Sequence, residues 1–200
     1  MITNQKLIKV LLIFVCTLFT STVINTKAHA GLYLQYALNY HSSTSDITSE
    51  PTEYGRMNNM ITIGAAFDKK QKFFFTWEAH SWSKEVKKGS SDTTSELTLM
   101  EFGPKLVCYL TQARSWFFSA AWHPYVSGTR TVAGVSHDIT GTAMFFSLGY
   151  HINVSKRFAL GASLNYHNVT IAKQGVATTE SDVANAYGNI YPMLEMVIKF

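Results

Sequence analysis

The sequence predicts an all-β fold: eight antiparallel strands in an up-and-down meander that close into a transmembrane β-barrel. Three observations carry this expectation. Strict apolar/polar alternation recurs eight times between Gly31 and Phe200, the period of a strand with one oily face. The connections between these segments are alternately short and long, as in barrels that cross a bilayer. The last stretch, Tyr187 to Phe200, sets Ile190, Pro192, Leu194, Met196, Ile198 and Phe200 on one face, with Asn189, Tyr191, Glu195 and Lys199 on the other.

Residues 1–30 read as a secretory signal peptide rather than as fold. Lys6 and Lys9 form a positive start, Val10 to Phe19 an apolar core, and Ala28-His29-Ala30 a small-residue cleavage site. The apolar run is too short to span as a helix, and Cys16 lies inside it rather than just after a cleavage site. The expected mature chain, 31–200, has the size of one domain. Cleavage removes Lys6, Lys9 and Lys27 and no acid from 17 basic and 13 acidic residues, which leaves a net charge near +1. No basic cluster is denser than Lys87-Lys88 or Lys156-Arg157, so no nucleic-acid partner is expected. Cys108 would then be the sole cysteine, which rules out an intramolecular disulfide and leaves a small hydrophobe.

Taken in order, the first strand spans Gly31 to His41, with Leu32, Leu34, Tyr36, Leu38 and Tyr40 on the oily face and Tyr33 as the exception on the other. The second, about Met57 to Phe67, presents Met57, Ile61, Ile63, Ala65 and Phe67; the third, from Phe73 to about Trp82, presents Phe73, Phe75, Trp77 and Ala79. The fourth, about Leu97 to Leu110, shows Met100, Phe102, Pro104, Leu106, Cys108 and Leu110. Trp116, Phe118, Ala120 and Trp122 mark the fifth, opposite Ser119, Ala121 and His123. Met144 to Ile152 mark the sixth and Phe158 to Tyr166 the seventh. Pro104 and Pro192 each lack a ladder donor, so a local irregularity is expected at both.

The short connections are 68–72, 111–115 and 153–157, and they hold six basic residues and one acid. The long ones run roughly over 42–56, 83–96, 126–140 and 168–186, and are polar and slightly acidic. Short turns at one rim and long loops at the other match periplasmic and extracellular ends respectively. Alternation does not say which face is outside, since a soluble lipocalin-like barrel turns its oily face inward around an apolar ligand. Here the oily face is nearly unbroken and the reverse is rich in Gly, Ala, Ser and Asn, which suits the narrow interior of eight strands. Aromatics gather at both ends of the oily face: Phe67, Phe73, Trp116, Tyr150, Phe158 and Phe200 at one, Tyr40, Trp122 and Tyr166 at the other. Two such girdles fit a band of about 25 Å.

The inward face carries Glu78, His80, Glu101, Lys105, His151, His167, Glu195 and Lys199, with Gln35 and Asn165. Charges in a narrow interior are costly unless paired. These residues are therefore expected to form a lumen network of salt bridges and hydrogen bonds, with part of it available as a gate for small ions. No catalytic or metal motif is read. His41-Ser42-Ser43-Thr44 sets a His and a Ser two apart, but strand parity turns His41 inward. Ala79-His80-Ser81-Trp82-Ser83 has no His-x-Ser spacing, and the histidines show no HxH or HxxxH pair. No cofactor is expected. Asn168-Val169-Thr170 is a bare sequon, and Asp46, Glu50 and Glu53 form a solvated acidic loop with some scope for divalent cations between lipopolysaccharides.

A final strand ending on an outward Phe200 resembles the C-terminal signature of bacterial outer-membrane barrels, whose last Phe is read by the barrel assembly machinery. Together with the leader, the eight alternating strands, the alternating loop lengths and the stretch Met100-Glu101-Phe102-Gly103-Pro104-Lys105, it is similar to small barrels of the OmpA, OmpX and OmpW type over all of 31–200. The peptidoglycan-anchoring role of full-length OmpA is not carried over. The resemblance implies the outer membrane as location, with lipids and lipopolysaccharide as surroundings and an unidentified extracellular partner at the loops. A structural or surface-interaction role is the first expectation. A narrow channel or carrier of small apolar solutes of the OmpW type is the second, and a lipid-A-modifying enzyme the third. The deacylases of that kind carry a His-x-Ser-Asn run on a lipid-facing strand, whereas His41 lacks the Asn and faces inward by parity.

Overall fold

A computed structural model describes residues 31–45, 52–88, 94–176 and 179–200. The expected leader, 1–30, and the loop acids Asp46 and Glu50 lie outside them. The strands are β1 (Leu32–Ser45), β2 (Thr52–Ala66), β3 (Phe73–Lys88), β4 (Thr94–Tyr109), β5 (Trp116–Val132), β6 (Val135–Asn153), β7 (Phe158–Val176) and β8 (Thr179–Lys199). Each pairs antiparallel with its successor, and β8 returns to β1 to close the barrel. The fold is an all-β, eight-stranded, up-and-down closed barrel.

Alternation decides the two faces. Leu34, Ile61, Phe75, Leu106, Phe118, Met144, Leu148, Leu164, Leu194 and Met196 all point outward and are exposed, whereas the residues next to them in sequence are buried inside. The aromatic ends of this oily surface pair across strands. Trp116 meets Tyr150 edge-on at 5.1 Å, Phe67 lies 5.8 Å from Phe73, and the Arg157 guanidinium sits 5.6 Å over the ring of Phe200. Cys108 takes its place in β4 as a half-buried member of the same face.

The short turns are built around one side-chain acceptor each, the device by which Asp, Thr and Ser hold a tight bend. Asp68 Oδ1 accepts from the Lys72 and Phe73 amides at 2.8 Å, Thr111 Oγ1 from the Ser115 amide, and Ser155 Oγ from the Phe158 amide. Gln71 and Arg114 adopt positive φ to complete their turns, and the Arg114 guanidinium donates to Gln71 Oε1 at 2.6 Å, which ties the two turns together.

The regions read as long polar loops are mostly strand. β5 and β6 stay paired up to Val132↔Val135, where Ala133 and Gly134 (φ 50 and 78) make the two-residue turn that twisted hairpins favour. β1 and β2 remain in register out to Ser45↔Thr52, β3 and β4 out to Lys87↔Thr94, and β7 and β8 out to Val176↔Thr179. Backbone pairing needs no oily face. Beyond the barrel body both faces of a hairpin meet water, so the alternation disappears from the sequence while the ladder continues.

Irregularities fall partly where proline predicts them. The β4–β5 register shifts between Phe102 and Lys105, around Gly103 and Pro104, and β5 slips against β6 between His123 and Val126, around Pro124. Pro192, by contrast, keeps its register with Leu164, and β8 shifts instead between Ile171 and Lys173 of its partner. The reason is the seam: the β1–β8 ladder runs only from Tyr33↔Lys199 to Leu38↔Leu194, two residues short of Pro192. A missing donor costs least where the ladder has already ended.

At the β4–β5 bulge the backbones come together. A Cβ added at Gly103 stands 2.0 Å from the Trp122 carbonyl oxygen, whereas one added at Gly55 meets nothing within 4 Å. Gly103→Val is expected to lower the unfolding free energy by roughly 1–3 kcal/mol, with Gly55→Ala close to neutral. Urea unfolding of the barrel in detergent, followed by tryptophan fluorescence, checks both.

Candidate functional site in the barrel lumen

The eight expected lumen residues, Glu78, His80, Glu101, Lys105, His151, His167, Glu195 and Lys199, are all buried inside the barrel. They fall into two groups rather than one. Nearer the short turns, His151 Nε2 lies 2.7 Å from Glu195 Oε2 and its Nδ1 lies 3.0 Å from the Tyr109 hydroxyl. A neutral ring satisfies both by donating from Nε2 and accepting at Nδ1. The ring stacks on Phe117 at 4.4 Å, and Ser163 Oγ donates to the other oxygen of Glu195. Lys199 Nζ sits 4.1 Å over the Tyr109 ring and donates to the Arg114 carbonyl.

The second group fills the middle. Lys105 Nζ donates to Glu78 Oε2 at 2.6 Å and to Gln35 Oε1 at 3.3 Å, and Thr62 Oγ1 donates to the same Glu78 oxygen. His123 stands between two carboxylates, with Nε2 3.2 Å from Glu78 Oε1 and Nδ1 2.9 Å from Glu101 Oε2. His167 Nε2 also lies 2.9 Å from that Glu101 oxygen, and His80 Nδ1 lies 3.5 Å from it. Three imidazoles from β3, β5 and β7 thus converge on one oxygen of β4. Over both groups, three buried carboxylates, Glu78, Glu101 and Glu195, stand against two buried ammonium groups, Lys105 and Lys199. His123, flanked by an acid at each ring nitrogen, is the group placed to supply a further positive charge.

His123 is the residue that strand parity already turned inward, opposite Trp122, but that the candidate set omitted. What could not be read was its position. The β5 bulge at Pro124 follows it directly, and bulges re-aim neighbouring side chains. The interior is also less uniformly small and polar than expected. Tyr33, Phe74, Tyr109 and Phe117 form an apolar layer among the charges of the first group, and Trp82, Leu97, Leu99, Val126, Ile139, Val169 and Ile171 form one above the second. Met60, Phe145, Tyr191 and Met193 pack at mid-height. A closed tube must be filled to the density of a protein interior, and these layers keep water from the ion pairs.

In the trio Ser163–Glu195–His151 the carboxylate is in the middle, whereas a nucleophile needs the imidazole between hydroxyl and acid. At the long-hairpin mouth a cavity of about 300 Å³ is lined by Arg56, Trp82, Lys84, Tyr187 and Asn189 among others. Arg56 spans this mouth, donating to Asn189 Oδ1 and lying 4.3 Å over the Tyr191 ring.

Because Glu78 and Lys105 are both fully buried, removing one partner strands the other. Lys105→Met is expected to cost about 3–5 kcal/mol, and Lys105→Met with Glu78→Gln to recover much of that loss. Urea titration of single and double variants in detergent measures the difference.

No family model matches the chain, and no curated protein matches it either. Among solved structures, the chain is similar to the translocator domain of the autotransporter NalP from Neisseria meningitidis, at 8% identity and a TM-score of 0.43. The match covers 88% of this chain and 64% of that one, so the chain spans under two thirds of that domain's length.

Proposed function

We propose that the chain is an integral outer-membrane protein with a structural or surface-interaction role, exercised through the four hairpin ends that stand above the barrel body. The observation that carries this reading is a closed barrel whose outward face is apolar and exposed all round, wrapped about a buried ionic interior. In water that surface is far larger than the apolar patch a soluble monomer tolerates; in hydrocarbon it is the ordinary outer face of a barrel. Lipid and lipopolysaccharide then surround the belt, and the partner meets the polar hairpins. In this reading the leader takes the chain through the periplasm, and Phe200, exposed at the short-turn rim, is the contact for the barrel assembly machinery.

A lumen filled by ion pairs and by apolar layers favours a closed plug over an open pore. The carboxylate-centred trio Ser163–Glu195–His151 gives no support to a lipid-modifying activity. Two measurements test the proposal. In a Cys108→Ala background, Ala133→Cys at the β5–β6 tip is expected to react with a membrane-impermeant maleimide on intact cells, whereas Ala113→Cys in a short turn reacts only after the outer membrane is opened. Reconstituted in planar bilayers, the protein is expected to show no stable single-channel steps. Steps abolished by Glu101→Ala establish the channel reading instead, and an altered acyl pattern of lipid A on expression establishes the enzymatic one.

A further inference from the structure

We propose that His80, Glu101 and His167 form a binding site for one divalent transition cation of the zinc class in the middle of the lumen. Each offers one ligand atom, and these atoms lie within 4.8 Å of one another in a fully buried setting. Around a tetrahedral zinc, ligand atoms stand about 3.3 Å apart, so small side-chain rotations close the set. Two imidazoles and a carboxylate are the mixed nitrogen and oxygen donors that such ions prefer, with a fourth position left for water.

The second observation is the state of these side chains. Both ring nitrogens of His80, Nδ1 of His167 and Oε1 of Glu101 are buried without a hydrogen-bond partner. Buried polar atoms are seldom left so, and a cation shared by the three side chains would give several of them a partner. The surroundings also supply what a metal site needs beyond its ligands. His123 meets the same Glu101 oxygen that faces His80 and His167 and is itself steadied beside Glu78, an outer-shell chain of the kind that orients ligands. An entry path exists at the hairpin mouth. Trp82 lines the cavity there on one side and meets the His167 ring edge-on at 5.8 Å on the other, so one indole separates solution from the site. Arg56 and Lys84 at that mouth oppose a cation's approach, which makes loading slow rather than weak.

Sequence spacing hides this site, because the ligands come from three strands and share no motif. The test uses the full-length protein folded in detergent. Cobalt(II) is titrated by visible absorption, zinc by competition, and the bound metal is counted after dialysis. One ion per barrel is expected, with zinc displacing cobalt. His80→Gln gives up only the 3.5 Å contact with Glu101 and is expected to fold, as judged by heat-modifiable migration, while weakening binding at least tenfold. Glu101→Gln weakens it similarly, His137→Gln on the surface leaves it unchanged, and Trp82→Ala speeds loading. X-ray absorption of the zinc-loaded wild type, which needs no variant, is expected to show two imidazoles with oxygen and no sulfur. Binding by His80→Gln equal to wild type, loss of binding with His137→Gln, or a wild-type barrel that retains no stoichiometric metal overturns the proposal. None of these outcomes depends on whether the barrel conducts or which partner its hairpins meet.

Discussion

Closure of the backbone ladder is the constraint from which the rest follows. In the membrane setting proposed for so apolar an outer surface, no solvent satisfies a stray amide or carbonyl, and each unpaired group in hydrocarbon costs several kcal/mol. A ring of strands answers this by giving every strand two neighbours. The weakest link is the seam, where β1 and β8 share only the stretch from Tyr33↔Lys199 to Leu38↔Leu194. It is closed near the short turns, where the amide of Phe200 also donates to the Leu32 carbonyl, and its ladder stops above mid-height. Arg56, reaching from β2 to Asn189 of β8, links the two sides of the seam above that point.

Closure also creates the interior, and the interior reverses the usual logic of a protein core. Eight strands enclose a tube too narrow for bulk water, so every inward side chain is desolvated. Most ionic residues there meet a counter-charge, Lys105 with Glu78, His123 between Glu78 and Glu101, and His151 with Glu195, while Lys199 has the Arg114 carbonyl and the face of Tyr109. Apolar layers shield these contacts and strengthen them by keeping the local dielectric low. The same shielding makes His80 conspicuous, since neither ring nitrogen has a hydrogen-bond partner and only Nδ1 has a carboxylate near it, Glu101 at 3.5 Å.

Parity and composition made the outward surface legible, residue by residue, because its positions are simply apolar and a strand repeats every two residues. The network's membership was nearly as readable, since a charge on a strand's reverse face has nowhere else to go. Three things were obscured. The hairpin arms looked like loops because their faces are alike in water. Pro192 was expected to bend its strand, yet the ladder had already ended beside it. His123 went uncounted although its parity was correct, because its importance depends on which strands lie opposite.

The sequence by itself determined which side of each strand is oily, where the tight turns fall and which charges lie inside, because these are local properties of a two-residue repeat. The tertiary structure alone decided the pairing of Glu78 with Lys105, the gathering of His80, His123 and His167 around one oxygen of Glu101, and the length of the seam. Those depend on stagger between strands far apart in the chain, and stagger is set by bulges and by closure of the ring rather than by any stretch read alone.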